Sequence, residues 1–472
     1  MKSKRYIVAP LLVLFLSGLL SAQTASTARP LIFVHVTVLD VTRATLLPDM
    51  TVIIDGNRIE AVRKSTKVRI PKQAQVIDAS GKFLIPGLWD MHAHVLTDNR
   101  HTFAFPLLIA NGITGIREMG SNLSVAEVNQ VRQSVASGVV LGPRFGALTY
   151  KILDGAGTQI NTSVAVTTPA DGRQLVQTYK RSGADFIKVY NLLSREVYLA
   201  ILDESKKQKI PVEGHTPFSM TALEVSDLGQ ATIEHNFGVL LSCSTDQEKL
   251  QGQSKTIPWL QTETQAARTY DPQKARKLFQ QFARNGTWSC PTLSFQKLYP
   301  LDGDNRAALA GRYMPKSQVT SWRTAYERAQ RNSLPQYREV RYQVLSRIVE
   351  EMSRAGVGIL AGTDTGAFFS IPGFSLHDEL EELVEAGLTP SEALRTATLN
   401  PVKFLHKEKE LGTVSKGKLA DLVLLDANPL ENIHNTRKVN AVVVNGRFLD
   451  RKTLDQMLAD VESAANPINK TR

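Results

Sequence analysis

The sequence contains little cysteine and no long blocks of like charge, and these absences exclude several classes of protein. Cys243 and Cys290 are the only cysteines among 472 residues, and their spacing does not fit a cysteine-based structural zinc site. A disulfide between them and two separate buried thiols are both compatible with the sequence. The 56 lysines and arginines are spread along the chain, so the net charge of +11 favours a solvated basic surface over a nucleic-acid site.

Residues 1–22 have the three parts of a secretory signal. Residues 2–5 form a basic start, residues 7–20 form an apolar run, and small residues at 21–22 offer a cleavage site. The apolar run is short for a membrane span, although an uncleaved anchor helix is the alternative. We therefore expect an exported protein, periplasmic or secreted, with no stable membrane anchor after cleavage.

Both ends of the mature chain have β-type sequence patterns. Apolar and polar residues alternate between positions 31 and 64, and Asp55 and Gly56 indicate a hairpin turn between two strands. Similar segments return at 421–426 and 441–449. We predict that residues 23–86 and 409–472 together form one small β-sandwich domain.

Between these ends, residues 87–408 alternate strand-like and helical segments, which predicts an α/β fold with a closed (β/α)8 TIM barrel. An open doubly wound sheet is the alternative, but no glycine-rich phosphate-binding sequence follows the first strand. Two long insertions, at about 237–286 and 294–356, begin at the carboxyl ends of strands. Insertions of this length in a compact domain usually form lids or walls of the substrate site. The predicted strands, apolar as buried parallel strands are, are 88–94, 112–119, 144–150, 184–190, 210–215, 231–236, 287–293 and 357–363.

Residues able to bind metals stand where several of these strands end. His92 and His94 are separated by one residue on the first strand, so they point to the same face. A single strand histidine is more often a hydrogen-bonded core residue, but ligand-type residues at five strand ends together predict a site for Zn²⁺ or a similar ion. The further candidates at the ends of the fourth, fifth, sixth and eighth strands are Lys188, His215, His235 and Asp364.

Lys188 needs a separate explanation, because a protonated lysine repels a metal cation. Burial and neighbouring positive charge lower the pKa of a lysine. The neutral amine can add CO₂ to become an anionic carbamate, and the two carbamate oxygens could bridge two metals.

The motifs together resemble the amidohydrolase superfamily of metal-dependent hydrolases over essentially the whole mature chain. They comprise residues 86–94, the two later strand-end histidines, residues 362–364 and the segment 417–423. Residues 187–190 look like the binuclear branch with a carboxylated lysine on the fourth strand, which includes exported Xaa-Pro dipeptidases and ochratoxin-hydrolysing amidases. Imidazolonepropionase-like members are cousins without this lysine.

The resemblance implies a role for each candidate residue. A bridging hydroxide would attack the substrate, and Asp364 would take its proton as the general base. Tyr190 faces the same side as Lys188 and either contacts substrate or packs in the barrel. Glu213 and Glu234 are the competing candidates for the base. One Zn²⁺ would be bound by His92, His94 and Asp364 and the other by His215 and His235, with carboxylated Lys188 bridging both.

We therefore expect a binuclear-zinc amidohydrolase that cleaves a peptide-like C–N bond. The expected substrates are small molecules: N-acyl amino acids, dipeptides of the Xaa-Pro type or ochratoxin-like amides. Hydrolysis of a lactone or of a cyclic amide such as an imidazolone by the same metals is the alternative. A non-catalytic binding protein on the same fold is less compatible with an intact general base. We expect no nucleic-acid partner, and we expect a homo-oligomer.

Overall fold

The computed structural model describes residues 29–253, 257–298, 303–331 and 335–466. The predicted signal segment, residues 1–22, lies outside these residues, as do residues 23–28 and 467–472 at the outer ends of the predicted β-domain. Within the described ranges, no helix is both long enough and apolar enough to cross a lipid bilayer.

Strands from both ends of the chain join in one mixed sheet. They are β1 (Leu31–Asp40), β2 (Thr45–Asp55), β3 (Arg58–Lys64), β4 (Gln75–Asp78), β5 (Phe83–Pro86), β15 (Leu422–Leu425), β16 (Val439–Val444) and β17 (Arg447–Leu449). Their order is β17-β16-β15-β5-β1-β2-β3, and β4 also pairs with β1. The two ends meet where β5 and β15 pair antiparallel, with Ile85 opposite Val423. All eight strands belong to one hydrogen-bonded sheet, and the two-layered sandwich stays a prediction.

The central region forms two parallel sheets. Its strands are β6 (Leu88–Ala93), β7 (Ile113–Glu118), β8 (Arg144–Leu148), β9 (Ile152–Asp154), β10 (Ser163–Ala165), β11 (Ile187–Val189), β12 (Val212–Gly214), β13 (Thr232–Glu234) and β14 (Trp288–Cys290). Seven of these nine strands lie within predicted segments, while β9 and β10 are additional short strands. The order is β6-β7-β8 in the first sheet and β10-β9-β11-β12-β13-β14 in the second. The chain therefore has a mixed α/β fold with parallel sheets, as predicted.

The segment predicted as the eighth strand, residues 357–363, forms isolated bridges and no continuous ladder. Ile359 pairs in parallel with Ser289 of β14, and Thr365 pairs in parallel with Ala93 of β6. The segment therefore lies between the last strand of one parallel sheet and the first strand of the other.

Helices follow most of these strands, and their ends carry ordinary capping residues. At the start of one helix, for example, the Thr389 side chain accepts a hydrogen bond from the backbone N–H of Glu392. The Glu392 carboxylate in turn accepts from the backbone N–H of Thr389, and Pro390 occupies the first helical position. The helices outside the two insertions are α1 (His101–Ala110), α2 (Val125–Ala136), α3 (Pro169–Ser182), α4 (Arg195–Gln208), α5 (Ala222–Asp227), α14 (Phe374–Glu385), α15 (Pro390–Thr396), α16 (Leu399–Phe404) and α17 (Arg451–Ala465). Short 3-10 turns lie at Ser65–Lys67, Thr97–Asn99 and Ile433–Arg437.

The two long insertions consist mainly of helices. These helices are α6 (Val239–Ser242), α7 (Gln247–Gln253), α8 (Trp259–Arg268), α9 (Pro272–Asn285), α10 (Leu293–Leu298), α11 (Gly303–Tyr313), α12 (Lys316–Arg331) and α13 (Pro335–Arg354). Helix α13 packs against α8 of the first insertion and against α10 at the start of the second. Both cysteines, Cys243 and Cys290, are buried and free, so the structure has two separate thiols rather than a disulfide.

Candidate metal centre

Three histidines converge on one carboxylate at the carboxyl ends of the parallel strands. The Asp364 Oδ1 atom lies 3.5 Å from His92 Nε2 and 3.6 Å from His94 Nε2. The Asp364 Oδ2 atom lies 4.0 Å from His235 Nε2. Ligand atoms of His92, His235 and Asp364 all lie within 4.8 Å of one another, close enough to share a metal ion.

Lys188 of β11 enters the same cluster. Its Nζ atom lies 3.1 Å from His92 Nε2 and 3.5 Å from His94 Nε2. Burial lowers the pKa of Lys188 to about 8, although the negative charge of Asp364 opposes this shift. The lower pKa increases the fraction of neutral amine at neutral pH, which is the form that can react with CO₂.

His215, after β12, completes the set of four imidazoles. Its ring centroid lies 5.0 Å from that of His235. The Nε2 atom of His215 is buried and has no hydrogen-bond partner in the part of the chain that the structure describes. This buried nitrogen is free to bind a metal ion, so the residues present fit a metal site.

Each of the four histidines has its Nδ1 atom fixed by an oxygen atom outside the cluster. For His92, His94 and His215 the oxygen belongs to a carboxylate, a backbone carbonyl or an amide, which can only accept, so Nδ1 carries the proton and the Nε2 lone pair is available for a metal. The partner of His235 is the Thr292 hydroxyl, which can accept from the ring or donate to it. The Nδ1–oxygen contacts are His92 with Glu234 at 2.7 Å, His94 with Gly120 O at 2.8 Å, His215 with Asn191 at 2.6 Å and His235 with Thr292 at 2.7 Å.

Burial determines the charge state of the cluster. It lowers the pKa of His94 to about 3 and shifts the pKa of the other three histidines well below the usual value. Burial also raises the pKa of Asp364 to about 6, against the positive charge of Lys188. Neutral imidazoles and a titratable carboxylate are the forms that metal binding and proton transfer require.

Arg117 is a residue of the candidate site that sequence reasoning missed. This buried β7 side chain donates from Nη1 to Glu213 Oε2 at 2.5 Å and from Nη2 to Glu234 Oε2 at 2.9 Å. Glu234 in turn contacts His92 Nδ1, while burial raises the pKa of Glu213 to about 7. Both competing bases are therefore held by Arg117, and Glu234 supports His92, a predicted metal ligand, from outside the cluster.

The backbone around the cluster is strained. His235 has φ 59° and Asp364 has φ 53°, in the left-handed region that non-glycine residues seldom adopt. Gly362 lets this segment approach β6, because a Cβ atom there would lie 2.8 Å from His92 Cβ. Strain of this kind is frequent at functional sites.

A cavity of about 570 Å³ opens over the cluster, and the insertion helices form part of its wall. Trp259 of α8 stacks on Phe237 with ring centroids 3.9 Å apart, and both line the cavity. Tyr190 also lines it, with its ring 4.0 Å from the ring of His215. Burial raises the pKa of Tyr190, so its phenol keeps the proton.

Residues 83–449 match the model of the Amidohydrolase family. The chain is 34% identical over 130 residues to a 5-methylthioadenosine/S-adenosylhomocysteine deaminase of Moorella thermoacetica, covering 23% of this chain and 30% of that protein. The chain spans just under a third of the length of the first curated relatives that it matches.

Solved structures are similar over nearly the whole chain. A structure described as a bottromycin amidohydrolase has a TM-score of 0.74 at 23% identity, covering 94% of this chain and 92% of that one. A Xaa-Pro dipeptidase with bound methionine has a TM-score of 0.64 at 20% identity, covering 89% of this chain and 100% of that one. These identities show a shared fold, and the family match extends over most of the chain. The chain therefore belongs to the Amidohydrolase family, whose members generally use divalent metals, and the predicted membership of this family is confirmed.

Proposed function

We propose that this protein is an exported binuclear-zinc hydrolase of peptide-like amide bonds, built on a closed (β/α)8 barrel with a small β-sandwich domain. The observation that carries the proposal is the cluster of four neutral imidazoles, Asp364 and Lys188 around one point. The bridges that Ile359 and Thr365 make to opposite sheets support closure of the barrel.

The ligands divide into two groups. His92, His94 and Asp364 would hold one ion, and His215 and His235 would hold the other. Lys188 would bridge them as a carbamate, formed when its neutral amine bonds to the carbon of CO₂ and loses one proton. Two zinc ions so held would lower the pKa of a water molecule and polarise the carbonyl group of the scissile amide.

Asp364 performs the proton transfer in this proposal. Its carboxylate takes the proton of the attacking water and delivers it to the leaving amine. Asp364 lies beside the imidazoles of His92 and His94, and bound metal ions would keep its carboxylate ionised, which is the form that takes a proton from water. Glu213 and Glu234 are held by Arg117 and are not available for this role.

The cavity suits a small amide with an apolar part. Its volume of about 570 Å³ falls within the usual range for small-molecule sites. The stacked pair of Phe237 and Trp259 offers a flat apolar surface. Together with the similarity to a solved Xaa-Pro dipeptidase, these features favour N-acyl amino acids, dipeptides or ochratoxin-like amides as substrates.

The test combines a substrate screen with a change at Lys188. Zinc-loaded protein is assayed against N-acyl amino acids, dipeptides, lactones and cyclic amides. Lys188→Ala should lose most bound metal and activity, and acetate, propionate or bicarbonate should restore part of the activity by replacing the bridging anion.

Lys207→Ala, which removes an exposed lysine of α4, is the matched control and should behave like wild type. The bridging role would be overturned if Lys188→Ala bound two metal ions per chain and hydrolysed substrate at the wild-type rate. Turnover of lactones or cyclic amides alone would overturn the amide assignment.

A further inference from the structure

Arg341 of α13 is a buried cation in the wall of the cavity, and the proposed chemistry does not use it. It is 4% exposed. Its Nε atom donates to Glu263 Oε2 of α8 at 2.6 Å, and its Nη2 atom donates to Gln296 Oε1 of α10 at 2.7 Å. The guanidinium plane is therefore held on one side by residues of both insertions.

The other side of the guanidinium is unused. Arg341 Nη1 is buried and has no hydrogen-bond partner among the residues that the structure describes. A buried donor of a charged group is normally satisfied, because leaving it without a partner destabilises the folded protein. An unpaired Nη1 on a cavity-lining residue therefore indicates that a ligand supplies the acceptor.

Arg341 also lies close to the metal centre. Gln296, which accepts from Arg341, donates from its own amide to the backbone oxygen of His235 at 3.2 Å. One side chain thus separates the guanidinium from a predicted zinc ligand. A ligand group bound by Arg341 would therefore lie in the cavity near the metal centre.

The charge of the cavity wall favours an anion. Asp364 is the only acid among the described residues that line the cavity. Arg100 is a second lining cation, but its Nη1 already donates to Gly366 O at 2.9 Å and its Nη2 lies 3.5 Å from Asp98. Arg341 therefore offers the unused donor, and a planar carboxylate matches a guanidinium edge.

We propose that Arg341 binds a carboxylate of the substrate and so selects amides that carry a free acid group. This inference rests on the proposed amide hydrolysis and names its substrate class. Glu263 and Gln296 position the guanidinium. If Arg341 served only to join α13 to α8, its removal would affect acidic and neutral substrates equally.

The test compares two substrates that differ only in the carboxylate, N-acetyl-L-phenylalanine and N-acetyl-2-phenylethylamine. Arg341→Gln should lower kcat/KM for the acid by about 10- to 150-fold, the range for hydrogen bonds to charged groups, mainly through KM. Hydrolysis of the neutral compound should change by less than about 3-fold. Equal losses on both compounds would overturn the inference while leaving amide hydrolysis established.

Arg338→Gln is the matched control. Arg338 lies one turn earlier on α13, is also buried, and has Nε and Nη1 atoms without partners in the described chain, but it does not line the cavity. This variant removes the same charge from the same helix. If both variants lower the ratio of kcat/KM for the acidic substrate to that for the neutral substrate by the same factor, Arg341 has no specific role.

If the wild type hydrolyses neither amide, that result counts against the proposed function and not against the role of Arg341. A binding measurement then tests Arg341 directly. Titration calorimetry with 3-phenylpropanoate and 3-phenylpropanamide uses ligands that need no turnover. Arg341→Gln should weaken binding of the acid by a similar factor and leave the amide unchanged. Carboxylates also bind zinc directly, so the readout is the difference between variants; no difference would overturn the inference.

Discussion

Replacing Glu234 by glutamine tests whether the residues around the metal centre control its affinity for metal. Glu234 Oε2 lies 2.7 Å from His92 Nδ1 and 2.9 Å from Arg117 Nη2. Glutamine keeps the shape of the side chain but removes the negative charge. His92 then keeps an acceptor for Nδ1 but loses the negative charge that makes its Nε2 atom more basic toward a metal.

The expected loss of zinc affinity is 10- to 100-fold, the range seen when such a supporting partner is removed, or about 1.4 to 2.7 kcal/mol. Glu213→Gln is the matched control. Glu213 binds the same Arg117 at 2.5 Å but makes no hydrogen bond to a metal-centre histidine in the described structure. Both variants should lower the free energy of unfolding by about 1.5 to 3 kcal/mol, and only Glu234→Gln should lower zinc affinity.

Zinc affinity is measured by competition with a chelator of known strength. The free energy of unfolding is measured by urea titration of metal-free protein. A pH of about 8.5 keeps Glu213 of the wild type ionised, since burial raises the pKa of that carboxyl to about 7. Equal losses of zinc affinity in the two variants, or none in Glu234→Gln, would refute the assigned support of His92.

Three further predictions concern other parts of the molecule. Asp364→Asn should lower turnover by roughly 10² to 10⁴ with a much smaller change in substrate affinity; steady-state kinetics with metal analysis checks this, and near-normal turnover would mean that another group is the base. Glu379, which accepts from the Leu293 and Ser294 amides at 3.0 and 2.7 Å, has its pKa raised to about 8 by burial. Its folded pKa lies above the unfolded value near 4.5, so its contribution to stability is full below that pH and is lost as the pH rises toward 8. Between pH 5.5 and 8.5, the free energy of unfolding of the metal-free wild type should therefore fall by up to about 3 kcal/mol more than that of Glu379→Gln. Urea titrations at both pH values measure this, and an equal fall in the two proteins would contradict the raised pKa. Mass spectrometry of exported protein should find the mature chain beginning within a few residues of Ala22, and a chain starting at Met1 would rule out cleavage.

The location of the metal centre could be predicted because its residues follow recognisable strands. His92 and His94 end an apolar run, and parallel strands place their carboxyl ends at one edge. The structure brings these two together with the other four predicted ligands. The eighth segment was predicted as a regular strand, but the structure has only isolated bridges there, and the left-handed backbone of Asp364 follows directly after it.

The supporting residues could not be predicted, because their partners lie far away in the sequence. Arg117 binds Glu213 and Glu234, which follow it by 96 and 117 residues, and no local pattern connects them. Arg341 lies in a helix rich in charged residues, which favours an exposed position. Its burial depends on Glu263 of a different insertion, 78 residues away.

We expect the pairing of β5 with β15 to delay assembly of the candidate metal centre until most of the chain has been synthesised. β5 continues through Gly87 into β6, the strand that carries His92 and His94. One edge of β5 stays without its neighbour until residues 422–425 have been synthesised, more than 330 positions later. Contacts of such separation form slowly, since a long loop must close first. A chain that ends before β15 would contain every predicted ligand. It would lack the strand that pairs with β5 and so holds the segment leading to His92 and His94. A metal ion would therefore enter a nearly complete polypeptide, in whichever compartment folding is completed.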